Sequence, residues 1–404
     1  MAYPGAILLA LLVVPAFSAE LPVPPPVGQV VEADERLWVT LQAPSKRDRS
    51  RAAALGLDIT EVSGALSTGV ATPAAVARLR AAGFAIKWQA SLRDANKGFP
   101  PADKAYHDYA QVQAQLGSIA SAHPDFASLV EFGKSVRGRK LTALRFTRGA
   151  GPKPGALFIG NHHAREHLST EVPLLAAQWL ADNAGKPEVS KLLATRDIYF
   201  IPLLNPDGAE HDIETGRYVW HRKNMQANPD GSFGVDLNRN YDSHWGEAGT
   251  SRYPSDDTYG GPSAFSEPES RAFKAFLDAR SNIKTMVSYH TSGELMLYPW
   301  SWSDEPLTGP ALDAFQAMGR KMAGWTSYRS QQSSELYPSS GDTCDWAWAV
   351  HGVFCWTFEL EGPGFYPGAA AIAPAVAKNI PAILYLIGLA DDPLRASRLD
   401  TARR

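Results

Sequence analysis

A chain of 404 residues, 45% hydrophobic and 20% charged, has enough apolar material for a large α/β domain with a smaller companion. That balance excludes wholesale disorder, and a formal net charge of -3 excludes a strongly basic protein, so no nucleic-acid partner is expected. The two cysteines, Cys344 and Cys355, are too few for a structural zinc-cysteine site.

The chain opens on an apolar run, Ala6 to Val14, too short to cross a bilayer, followed by the small residues of Pro15 to Ala19. Residues 1–19 read as a signal peptide cut near Ser18 or Ala19, which makes the product secreted, extracellular or periplasmic. No later segment reads as long and apolar enough for a membrane span. A Pro-rich spacer, Leu21 to Gly28, leads into a strand at Arg36 to Gln42. Next come an amphipathic helix at Ala71 to Ala82, with Pro73 in its first turn, and a strand at Phe84 to Trp88. Residues 20–100 therefore read as a small α+β prosegment. The polar stretch Ser91 to Lys104, with Gly98 and Pro100-Pro101, reads as a linker in which Arg93 and Lys97 offer cuts to an activating protease.

Beyond it, helices and strands alternate. Helices are expected at Tyr109 to Ala122, Glu171 to Asn183 and Glu267 to Arg280. Strands are expected at Ala143 to Phe146, Ala156 to Gly160, Ile198 to Leu204, Thr285 to His290 and Gly352 to Leu360. This alternation points to an α/β sheet covered on both faces, whose site lies in loops at the C-terminal strand ends. Residues 104–392 form this domain and 393–404 a C-terminal tail. The loop-rich stretch Asn205 to Gly261 is long enough to suggest function.

The densest chemistry is Asn161-His162-His163-Ala164-Arg165-Glu166-His167, where three histidines and a carboxylate fall within six positions. Two readings are open from these residues alone. His163 and Glu166 are ligands completed by a distant histidine, or His163-x-x-Glu166-His167 is a helix with two histidine ligands and a catalytic glutamate. A polar loop with no metal is the bland alternative.

Further motifs follow in order: Asn205-Pro206-Asp207-Gly208, Trp220 to Asn224, Val235 to Tyr241, Ser288-Tyr289-His290-Thr291, Leu336 to Asp342 and Thr357-Phe358-Glu359-Leu360. Together they resemble the zinc carboxypeptidase family of the pancreatic A and B type, from about Tyr106 to about Leu389. The resemblance implies a mixed, largely parallel central sheet with helices on both faces and one Zn2+ per chain. It also implies a monomer whose substrates are peptide or protein C-termini. By the same resemblance His163, Glu166 and His290 are the zinc ligands, Glu359 the general base and Arg222 the oxyanion stabiliser. Asn238 and Arg239 grip the terminal carboxylate, Tyr337 closes over the bound residue, and Arg165 binds substrate beyond the scissile bond. Glu361 is the rival base, because it would face the same way on a strand.

In the family the residue before Asp-Trp sets the side-chain preference, and here it is Cys344, before Asp345-Trp346. Cys344, Leu297 and Thr357 as pocket wall imply a preference for apolar or aromatic C-terminal residues, with Asp342 offering some tolerance for basic ones. A bridge between Cys344 and Cys355 would change that pocket, and their spacing leaves it open. An amidase acting on cell-wall peptides and a zinc-binding module without catalysis are the competing functions.

Overall fold

The computed structural model describes residues 37–91, 98–362 and 364–401. The signal-peptide reading and the basic residues Arg93 and Lys97 lie outside the described residues.

The first unit is a four-stranded antiparallel sheet in the order β2-β3-β1-β4: β1 (Leu37–Gln42), β2 (Asp58–Ser63), β3 (Leu66–Ala71) and β4 (Ile86–Ser91). Two helices join these strands, α1 (Lys46–Ala54) and α2 (Pro73–Ala81). Ser45 caps α1 reciprocally with Asp48, and Thr72 caps α2 by accepting from the Ala75 N–H. Val39, Leu41, Leu57, Val76 and Leu79 fill a core of its own. The expected strand–helix–strand frame is present, with the hairpin of β2 and β3 added to it.

The second unit holds eight strands: β5 (Ala127–Lys134), β6 (Lys140–Phe146), β7 (Gly155–Gly160), β8 (Asp197–Ile201), β9 (Ile283–Thr291), β10 (Leu295–Tyr298), β11 (Arg329–Gln332) and β12 (Phe354–Leu360). Their order is β11-β10-β12-β9-β7-β8-β6-β5, parallel through β12, β9, β7 and β8 and antiparallel toward the β5 edge. The helices are α3 (Tyr109–Ala122), α4 (Leu168–Asp182), α5 (Pro187–Thr195), α6 (Pro206–Ile213), α7 (Pro268–Asp278), α8 (Gly309–Thr326), α9 (Thr343–His351), α10 (Ile372–Leu389) and α11 (Arg395–Thr401).

Strand β7 shows why both faces are covered. Ala156 and Phe158 belong to one apolar cluster, with α4, α8 and α10, while Leu157 and Ile159 belong to another, with α7 and α9. Alternate side chains of a strand point to opposite faces, so a wholly apolar strand needs cover on each. The expected α/β architecture is present.

Two expectations are corrected. The segment read as a tail folds in part into α11, tied to α8 by an Arg320–Asp400 ion pair at 2.7 Å. The absence of a later apolar segment does not hold either, because Ala369–Leu389 passes for a membrane span by length and composition. Its Ala375, Ile380, Ile383, Leu386 and Ile387 are buried in the protein core, which accounts for its apolar composition.

Cys344 and Cys355 are bridged, joining the first turn of α9 to β12 across a separation of 11 residues. A loop of that size restricts the unfolded chain enough to contribute about 3 kcal/mol. Replacing both cysteines with alanine is expected to lower the thermal midpoint, and scanning calorimetry of the two forms without reductant checks it. An unchanged midpoint would show that the bridge adds no stability.

Candidate active site

Strand β7 stops at Gly160, where an added Cβ would collide with the Ser169 carbonyl. Only glycine lets the start of α4 fold so closely over the strand end. Asn161 follows with φ 56°, its N–H donating to Ser169 Oγ at 3.0 Å and its amide to the Ala164 carbonyl. This locked turn carries His163 and Glu166 into the space beyond the sheet. Strand β9 supplies His290 at its C-terminal end, and β12, parallel to it, sets Glu359 in register with His290.

His163, Glu166 and His290 meet there, all buried, with one donor atom of each within 4.8 Å of the others. His163 Nδ1 lies 2.9 Å from Glu166 Oε1, His290 Nδ1 lies 3.0 Å from Glu166 Oε2, and the two Nδ1 atoms are 3.1 Å apart. Two ring nitrogens facing each other cannot both carry hydrogen, and a carboxylate completing the triangle adds negative charge. An ion holding ligands at about 2.0–2.1 Å in a tetrahedron spaces them about 3.3 Å apart, so the set fits zinc.

The far sides of both rings are fixed. His163 Nε2 meets Asp236 Oδ1 at 3.1 Å, and His290 Nε2 meets Ser288 Oγ at 3.0 Å. Such partners fix ring orientation and strengthen a metal ligand. Burial would raise the Glu166 carboxyl, but its close contacts with His163 and His290 hold it below the usual range.

Asp236 is also the anchor of Arg222. Its Oδ2 accepts from Arg222 Nε at 2.9 Å and lies 2.8 Å from Nη2, leaving Nη1 at 4.0 Å from Glu166. Burial would lower the Arg222 guanidinium, but Asp236 and Glu166 hold it charged. The loop carrying Arg222 is kept in place by Asn224, whose Oδ1 accepts from the Val235 N–H and whose amide donates to Glu267 and Glu269. Burial pushes Glu269 up to about 7.

Asn238 and Arg239 lie in a short turn capped by Asp236, which accepts from the Asn238 N–H. Arg239 donates through Nη2 to the Tyr337 hydroxyl at 3.0 Å. Tyr337 is 49% exposed, so its ring stands at the mouth rather than in the core. Glu359 keeps some surface toward the cavity, yet its carboxyl is raised well above the usual range. Burial is the main cause and the nearby charge of Glu166 the next, against the pull of Arg222 and Arg239.

These groups surround one cavity of about 300 Å³. It is lined by His163, Glu166, Arg222, Asn238, Arg239, His290, Leu297, Tyr337, Thr357 and Glu359 among the residues expected from sequence. Cys344 is corrected: its bridge to Cys355 turns the side chain into an apolar cluster under the sheet, away from the cavity. Arg165 also stands back from the lining, stacked 4.0 Å over the Phe365 ring and paired with Asp257 at 2.9 Å. Glu361, the rival base, is engaged by the Tyr328 hydroxyl and Lys378. His167 is held by Asp212 at 2.9 Å.

Sequence reasoning missed Asp236 as the joint between ligand and arginine, although it sits inside the Val235–Tyr241 motif. It also missed the hydroxyls of Ser301, Ser333 and Ser339, which line the cavity. Serines are too common for any signal to mark them.

Comparison with known proteins agrees with this geometry. A family model described as zinc carboxypeptidase matches residues 112–382. A zinc carboxypeptidase from Saccharothrix mutabilis subsp. capreolus is 32% identical over 390 residues, 88% of this chain and 89% of that protein. A carboxypeptidase B from Astacus astacus is 32% identical over 65% of this chain and 88% of its own length. Thrombin activatable fibrinolysis inhibitor shares the fold, with a TM-score of 0.66 at 22% identity over 89% of this chain and 100% of that one. The family model spans more than half of the chain and the Saccharothrix relative nearly all of it, so the chain belongs to the zinc carboxypeptidase family and is a metallocarboxypeptidase.

Proposed function

We propose that this protein is an exported, zinc-dependent exopeptidase that releases single residues, by preference apolar or aromatic, from peptide C-termini. The observation that carries this reading is the gathering of the site's groups about one cavity. The donor triangle of His163, Glu166 and His290, the carboxyl of Glu359 and the cations of Arg222 and Arg239 all face it.

His163, Glu166 and His290 would hold a zinc ion, which would supply Lewis-acid chemistry to a water and to the scissile carbonyl. Glu359 takes the proton of the attacking water and delivers it to the leaving amine. Arg222, pinned through Nε and Nη2, turns Nη1 to the oxygen on which charge develops. Asn238 and Arg239 bind the terminal carboxylate, for which a guanidinium fork is well shaped. Tyr337, already bonded to Arg239, closes over the bound residue.

Leu297 and Leu336 give the side-chain pocket its apolar surface. Asp342 also lines it, but its oxygens accept from the N–H groups of Cys344 and Asp345 and from the Asn238 amide. Its charge is largely committed to these donors, so an apolar partner is favoured over a basic one. The bridged cysteines support an oxidising, exported destination.

The prosegment reading also bears on residues in the second half of the linker. Asp103 accepts from the Tyr218 hydroxyl at 2.7 Å and from the Ala369 N–H at 2.9 Å, so it joins two loops beside the cavity. Phe99 packs on His167, with ring centroids 4.7 Å apart. These contacts favour a reading in which Phe99 to Asp103 stay with the mature enzyme and the activating cut falls ahead of Phe99.

Four outcomes are expected. The activated enzyme releases Phe from an N-blocked dipeptide, and Glu359→Gln lowers kcat by about 10²–10⁴-fold with zinc retained. Because a base must be unprotonated, kcat/KM falls as pH drops through the ionisation of Glu359, and Glu359→Gln removes that acid limb. An acid limb unchanged in Glu359→Gln would exclude Glu359 as the base; zinc bound without Phe release would reopen the substrate class. In a matched series, Phe is released faster than Arg, and an Arg rate equal or higher would overturn the apolar preference. Sequencing the N-terminus of the activated protein gives a start at or before Phe99; a fully active form starting beyond Asp103 would refute that boundary.

A further inference from the structure

Behind the cavity lies a buried histidine that the chemistry above does not use. His162 is wholly buried between β7, β9 and α9. Its Nδ1 is 3.1 Å from Ser288 Oγ, and that hydroxyl is 3.0 Å from His290 Nε2. On the other side, His162 Nε2 is 3.0 Å from Thr343 Oγ1 and 3.0 Å from the Tyr241 hydroxyl. The Thr343 hydroxyl donates to Asn238 Oδ1 at 2.7 Å, and the Asn238 amide donates to Asp342 Oδ2 at 2.9 Å. An unbroken row of hydrogen bonds thus runs from a metal-ligand histidine to the residue that grips the substrate carboxylate.

The direction of that row follows from donor and acceptor inventory. Asn238 is fixed first. Its Oδ1 also accepts from the Thr343 backbone N–H at 3.0 Å, and the reverse orientation would set oxygen against the Asp342 carboxylate. The Thr343 hydroxyl hydrogen is therefore committed to Asn238, and its oxygen can only accept from the His162 side. At the other end, His290 Nδ1 faces the donor triangle, so a ligating ring must keep that nitrogen bare and carry its hydrogen on Nε2. His290 then donates to Ser288, Ser288 to His162 Nδ1, and His162 Nε2 to Thr343. Both ends demand the same direction, and every hydroxyl hydrogen in the row has one place to go. If His290 carried its hydrogen on Nδ1, the row would reverse as far as His162, whose bare Nε2 would face a Thr343 lone pair and take a hydrogen only from the Tyr241 hydroxyl.

We propose that His162 and Thr343 are positioning residues that hold His290 in its metal-ligating tautomer and couple it to Asn238. This rests on the reading of His163, Glu166 and His290 as zinc ligands. Hydrogen bonds aligned in one direction polarise one another, and the low dielectric of a buried site strengthens the effect. Metal affinity should therefore respond to Thr343, which touches none of the three ligands.

The test is zinc affinity of the full chain, measured by competition with a chelating dye, with thermal midpoints recorded for each variant. Loss of an outer hydrogen-bond partner typically weakens metal binding by about 10–100-fold, and His162→Phe is expected to fall in that range. Thr343→Val is expected to weaken zinc by about five-fold or more, and Thr343→Ser, which keeps the hydroxyl, to restore it. The double variant should bind no more weakly than His162→Phe alone, because the two act through one row. Thr343→Val with wild-type zinc affinity, or strict additivity in the double variant, overturns the proposal while leaving the ligand set standing. A wild-type chain that binds no zinc overturns both. The Thr343 pair carries the test if His162→Phe fails to fold.

Discussion

The carboxylate of Asp236 is the joint on which the site depends. One oxygen holds His163 Nε2 and accepts from the Asn238 N–H, while the other holds two nitrogens of Arg222. A charge this deeply buried is unfavourable alone, and burial raises the Asp236 carboxyl against the pull of Arg222 and His163, which wins. Its anionic form is therefore stable only while the histidine and the arginine are both in place. His163, Arg222 and the Asn238 turn are fixed by one group, so none can shift without the others.

That joint works because the sheet delivers its partners independently. Strands β7, β9 and β12 are parallel neighbours, and their C-terminal ends bring His163, His290 and Glu359 to one level. Open parallel sheets form their crevices at such ends. Gly160 makes the approach of α4 possible, and the Asn161 turn converts the strand's direction into the aim of His163. The loop side is held by another buried amide, Asn224, between Val235 and the carboxylates of Glu267 and Glu269. Polar groups in the interior thus fix the register of segments that apolar packing alone would leave free to slide.

This division explains what the sequence made legible. Strands such as 156–160 and helices such as Tyr109–Ala122 were visible because period and apolar content agree with their burial. Long helices α8 and α10 were not foreseen. The first alternates burial with charge, and the second has Pro381 inside it and apolar residues around most of its surface. The clustering of His163, Glu166 and His290, with Arg222, Asn238, Arg239 and Glu359 about the same cavity, was foreseeable because each sits in a motif of several residues. Cys344 was misjudged for a physical reason. A motif fixes the position of a backbone, but whether the side chain turns to the cavity or the core depends on its partner. Here that partner is Cys355, on β12.

Charge balance links the two halves of the site. Glu166, Asp236, Asp342 and Glu359 provide four carboxyl groups around the donor triangle and cavity, against the two guanidiniums of Arg222 and Arg239. Counting these six groups alone, full ionisation leaves an excess of two negative charges. Protein alone relieves it at Glu359, whose carboxyl is raised by burial and by the charge of Glu166. A divalent cation held by His163, Glu166 and His290 would oppose the same field and favour the ionised carboxyl of Glu359. The carboxyls around the cavity thus press Glu359 toward its neutral form, and a cation among them would draw it the other way.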